Sequence, residues 1–106
     1  MLPTVDAGRN EWISVYFKTD HKVCDFKMRV RGAQVEILHP NDWDYTSLNQ
    51  NSTLRHKEVD YAAFRVNADV DETEWIPLSA TITWNDCGAD DETREKKTSL
   101  VLPVRA

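Results

Sequence analysis

The chain has 106 residues, 41% of them hydrophobic and 29% charged, with a net charge of −5. A single domain of that size buries roughly two-thirds of its unfolded surface, enough for one core. The acidic balance argues against a nucleic-acid partner or an anionic membrane surface. No apolar run approaches the roughly 20 residues of a membrane span, and no basic-then-apolar leader opens the chain.

Met1 to Asn10 reads as a lead-in broken by Pro3 and Gly8. Glu11 to Lys18 then alternates, with Ile13, Val15 and Phe17 on one side and Trp12, Ser14 and Tyr16 on the other. A strand has a side-chain period of two, so one of these faces is buried. The sharpest alternation runs from Lys22 to Val30, where Cys24, Phe26, Met28 and Val30 oppose Asp25, Lys27 and Arg29. Arg31-Gly32 is expected to turn the chain, with Gly32 free to adopt positive φ. Ala33 to Leu38 follows, with Ala33, Val35 and Ile37 inward, and Pro40, which has no N–H for a ladder, ends it.

The polar stretch Asn41 to Lys57 is long for a compact domain. It is expected to hold a short edge strand and a crossing between two sheets. Glu58 to Val70 reads as a strand whose phase breaks: Val59, Tyr61 and Ala63 share one parity, and Phe64, Val66, Ala68 and Val70 share the other. That break predicts a β-bulge. Leu78, Ala80, Ile82 and Trp84 alternate with Ser79, Thr81 and Thr83 in a further strand. Asn85 to Lys97 is a charged connection with room for one helical turn, and Thr98 to Val104 closes the chain. Alternating strands with no helical period predict an all-β antiparallel sandwich of about seven strands spanning residues 1–106.

The order of these pieces resembles immunoglobulin-like modules of prokaryotic surface and multidomain proteins. The matching residues are Pro40 and Trp43 after the third strand, Phe64-Arg65-Val66, Leu78-Ser79-Ala80-Thr81-Ile82, and Leu102-Pro103-Val104. The turn Lys18-Thr19-Asp20-His21 stands where many such modules have Asn-x-Gly. The resemblance implies an immunoglobulin-like fold.

Cys24 falls on the apolar face of its strand and reads as a buried thiol acting as a small hydrophobe, with Cys87 more exposed beside Gly88. A bridge between them would point to an oxidising compartment, but sequence cannot bring their Cα atoms together; the compartment is otherwise unassigned. His21, His39 and His56 lie in three separate turns and read as solvated residues, without the close pairs that zinc sites favour. The acidic clusters Asp69, Asp71, Glu72, Glu74 and Asp86, Asp90, Asp91, Glu92 read as solvated turns, with calcium as the other possibility. No metal ligand set, cofactor or catalytic group is expected. Asn51-Ser52-Thr53 fits the glycosylation pattern.

The aromatic residues carry the expectation of binding. Trp12 and Tyr16 share the wet face of the first long strand, and Trp43 and Tyr45 sit in a polar turn. Such rings anchor protein contacts or stack on sugars. The expected role is a non-catalytic structural or protein-interaction module. Its partner would be another protein or a second copy, bound at an edge strand, with the first and last long strands as the edges. The alternative is a carbohydrate-binding module using Trp12, Tyr16, Trp43 and Tyr45, with or without the aid of calcium.

Overall fold

The structure is a computed structural model and describes residues 2–40, 43–49, 52–88 and 92–106. Its strands are β1 (Val5–Asp6), β2 (Glu11–Lys18), β3 (Cys24–Gly32), β4 (Val35–Leu38), β5 (Val59–Ala68), β6 (Glu74–Asn85) and β7 (Arg94–Arg105). No α-helix occurs among the described residues, and the chain is all-β. One sheet has the order β1-β7-β6-β3 and the other β2-β5-β4. Every strand pairing is antiparallel except β1 with β7, which is parallel through Val5–Val104 and Asp6–Arg105. The lead-in therefore contributes a strand that its composition did not announce.

The alternating residues meet between the sheets. Ile13 from β2, Phe26, Met28 and Val30 from β3, Phe64 and Val66 from β5, Leu78 and Ala80 from β6 and Leu102 from β7 are all buried. Phe64 and Met28 are at 0% exposure, as close-packed interiors require. The segment from Thr46 to Leu48 crosses between the layers: Thr46 bridges Met28 in one sheet, and Leu48 bridges Ala62 in the other. The buried Thr46 hydroxyl donates to the Ala63 carbonyl at 2.8 Å, and the Ser47 hydroxyl donates to the Phe26 carbonyl at 2.8 Å. The crossing is as expected, but its described residues hold isolated bridges rather than an edge strand.

Four local readings are corrected. The β2–β5 register runs without a shift from Glu11–Val66 to Lys18–Val59, so β5 has no bulge. Instead Asp60 is buried in line with Ala62 and Phe64, its carboxylate accepting the Tyr61 N–H at 2.8 Å, and Val59 and Tyr61 face outward. The irregularity lies in β3 between Cys24 and Lys27, where Asp25 takes φ 52°. The turn after β3 falls at Ala33 and Gln34, with Gln34 at φ 61°, while β3 continues through Gly32. Gly32 is demanded by close approach, because a Cβ there would collide with the Leu78 Cδ2 methyl in the core. Strands β6 and β7 run beyond the expected limits, to Asn85 and from Arg94, over the region read as a charged connection.

Cys24 is not a free thiol. It forms a disulfide with Cys87, with Cα atoms 5.2 Å apart, joining the start of β3 to the residues following β6. Cys87 adopts φ 67°, and its N–H donates to the Asn85 side-chain oxygen at 3.0 Å.

Candidate functional site

The two sheets leave four lateral edges, and three of them are guarded. The β3 edge is covered by the crossing segment, through backbone bonds from Val23 to Leu54, Phe26 to Ser52 and Met28 to Thr46. β4 is four residues long. The outer half of β7 carries Arg94, Glu95, Lys96 and Lys97, with β1 beside only its last residues. Short edges and charged edges are how sheets prevent unwanted pairing. The β2 edge has neither protection: Trp12-Ile13-Ser14-Val15-Tyr16-Phe17 contains no charge, proline or glycine.

Between β2 and β7 the sandwich is open over its upper half. The groove there has a volume of about 450 Å³ and is floored by Val15, Phe17, Phe26, Ile82, Trp84 and Leu100. Phe17 and Phe26 meet edge to face at 4.8 Å. The indole N–H of Trp84 is buried there without an acceptor among the described residues. Lys18 and Lys96 stand among the lining residues.

The four aromatic residues singled out in the sequence do not form one site. Trp12 and Tyr16 project from the outer face of the β2-β5-β4 sheet and are 60% and 68% exposed, with Tyr16 beside Tyr61 at 5.6 Å. Trp43 and Tyr45 flank β3 on the other sheet, their rings stacked 5.3 Å apart at 20°. Lys27 Nζ lies 4.9 Å from the Tyr45 ring centroid, and Arg29 donates to the Asp44 carbonyl and carboxylate at 3.1 and 3.0 Å. Trp84 is partly buried against the core, as its parity predicts. Trp75, passed over in the sequence, is 68% exposed. Its odd parity on β6, opposite buried Ile76 and Leu78, is the signal that would have found it.

His21 and His56 are exposed turn residues, as expected, and His39 is not. His21 contacts Asp20 at 2.8 Å and Asp86 at 3.6 Å, and this partner holds the exposed Asp20 carboxyl below its ordinary range. His39 is half-buried, and its Nε2 accepts the Val30 N–H at 3.2 Å. Burial lowers the His39 pKa below 6.5, against Asp44, which raises it, and with Arg29, which lowers it. The unfolded imidazole titrates first, so His39 contributes stability that is full above pH 6.5 and is lost as the pH falls through the lower folded value. Thermal melts of wild type and His39→Gln through this range should converge as the pH drops. A constant gap between them would remove His39 as the titrating group.

Among the described residues no group of three or more His, Cys, Asp or Glu is placed to hold a metal. Asp90 and Asp91 of the second acidic cluster, and Asn51 of the glycosylation pattern, lie outside the described residues. No protein-family model and no curated protein matches the chain. Among solved structures it is similar to AvmM, which catalyzes macrocyclization in alchivemycin A biosynthesis, at 13% identity and a TM-score of 0.42, over 93% of this chain and 82% of that one. That likeness is too distant to transfer chemistry.

Proposed function

We propose that this chain is a non-catalytic, immunoglobulin-like interaction module that assembles with a second copy of itself by pairing at the β2 edge. The single observation carrying this reading is the unguarded run Trp12–Phe17 on an edge strand. Its free backbone groups offer hydrogen bonds to an added strand, and its exposed rings offer anchors. The immunoglobulin-like part is supported by strand order: taken as A to G, the sheets group B-E-D and C-F-G, with the short A strand beside G. The Cys24–Cys87 bridge supports an oxidising compartment.

A second copy suits this edge because β2 complements itself. Opposite residues in an antiparallel pair share a face. A two-fold axis at Val15 sets Ile13 against the second copy's Phe17 on the inner face, and Trp12 against the second copy's Lys18 on the outer face. The inner row is wholly apolar and would close the open side of the groove. The outer pair is a cation–π contact, made twice by symmetry.

Sedimentation velocity over a dilution series tests this. Wild type is expected to dimerise. Trp12→Lys places like charges opposite each other twice, at roughly 0.5–1 kcal/mol per contact, and should weaken the dimer about tenfold or more. Trp12→Glu restores an opposite-charge pair with Lys18 and should retain it. Trp12 is 60% exposed, so both variants spare the core. A wild-type protein that stays monomeric at every soluble concentration, or two variants that associate alike, overturns the proposal.

The second reading, carbohydrate binding, is favoured by the stacked Trp43–Tyr45 pair alone, since Trp12 and Tyr16 lie on the other sheet.

A further inference from the structure

The outer face of the β1-β7-β6-β3 sheet carries a pattern that the β2 interface does not use. The registers align three rows across β3, β6 and β7: Lys27–Thr83–Glu95, Arg29–Thr81–Lys97 and Arg31–Ser79–Ser99. All nine side chains have the parity opposite to buried Met28, Val30, Leu78 and Ala80, so they project together from one surface. Rows on such a surface stand roughly 6.7 Å apart along a strand, and neighbours roughly 4.8 Å apart across strands. With Asp44 at its edge and Asp25 lining the adjoining concavity, the face holds four cations (Lys27, Arg29, Arg31, Lys97) against three carboxylates (Asp25, Asp44, Glu95), in a chain whose net charge is −5. Arg29 pairs with Asp44 at 3.0 Å and Lys97 with Glu95 at 3.7 Å, so Lys27 and Arg31 are the cations of the face outside these ion pairs.

An aromatic platform borders this grid. Arg29 fixes Asp44 through two hydrogen bonds, and Lys27 sits over Tyr45, which stacks on Trp43. The segment is thus held against β3 before any ligand arrives. Two concavities meet at Lys27 and Tyr45. One, of about 350 Å³, is bounded by Lys27, Arg29, Tyr45, Thr81, Thr83 and Glu95 together with Asp44. The other, of about 420 Å³, includes Asp25, Trp43, Tyr45 and Ser47.

We infer that this face binds an acidic polysaccharide. Cations spaced along one strand meet carboxylate or sulfate groups recurring along a sugar chain. The Ser and Thr hydroxyls and Glu95 exchange hydrogen bonds with sugar hydroxyls, and the Trp43–Tyr45 platform takes a sugar ring. A polyphosphate is less well matched, because it lacks the ring hydroxyls that the Ser, Thr and Glu95 side chains of this face would bond. This inference is independent of pairing at β2.

Affinity electrophoresis of the intact chain tests it, with alginate as the carboxylated probe, heparin as the sulfated probe, dextran as the neutral probe and poly-dT as the polyphosphate. Retardation by alginate or heparin, weakening with salt, is expected, and the stronger of the two identifies which anion is read. Dextran and poly-dT should retard the chain less than either. Arg31→Ala and Trp43→Ala should each weaken binding to the preferred probe by roughly tenfold. Arg9→Ala, which removes a cation elsewhere on the surface, should leave it unchanged. Both Arg31 and Trp43 are exposed, so circular dichroism should report intact folds. The inference is overturned if no acidic probe retards the chain, if dextran or poly-dT binds as well as the acidic sugars, or if Arg9→Ala and Arg31→Ala lose binding equally.

Discussion

Replacing Cys24 and Cys87 together with serine is expected to remove about 4 kcal/mol of stability, on the chain-entropy account of cross-links. The two residues are 63 apart in sequence, so the bridge closes a loop of more than half the chain. In the unfolded state that closure excludes many conformations, and its loss restores them. In the folded state the bridge ties the irregular start of β3 to the residues after β6, where Cys87 is held at φ 67°. Domains of this size have total stabilities of about 5–15 kcal/mol, so the variant should unfold at much lower denaturant. Urea titration of the double variant checks this. The midpoint should fall steeply, and the slope should be steeper if the unfolded chain expands. An unchanged midpoint would mean that the bridge contributes nothing to the fold.

Phe64→Ala is expected to cost about 3–5 kcal/mol. Phe64 lies in the middle of β5, directly opposite Ile13 of β2, and is fully buried. Truncation removes a large apolar ring from between the two sheets, and both backbones beside it are held by ladder hydrogen bonds, so the space cannot close. The urea midpoint should drop with little change in slope. A loss below about 1 kcal/mol would contradict a close-packed interior at that level of the sandwich.

These two positions differ in how far sequence reveals them. Phe64 follows the inward parity of Val66 and Ala68, and its burial is legible from alternation alone. The disulfide is not, because it depends on two strand ends meeting in space. The candidate surfaces divide in the same way. Trp12 and Tyr16 read correctly as exposed on the face opposite Ile13. Their separation from Trp43 and Tyr45 depends on which sheet each segment joins, and no periodicity encodes that. Buried Asp60 was missed for a related reason: the pairing with β2 fixes the phase of β5, and a carboxylate satisfied by the next N–H can sit where apolar counting expects Tyr61.

The amino-acid order determined that this protein is built from strands, and which side chains of β2, β3, β6 and β7 face inward, because a period of two is a local property of extended backbone. Only the tertiary structure decided which edges lie bare, that three rows of β3, β6 and β7 form a basic grid, and that Cys24 meets Cys87. Each of these depends on strand order and register, which are set by packing between segments far apart in the chain.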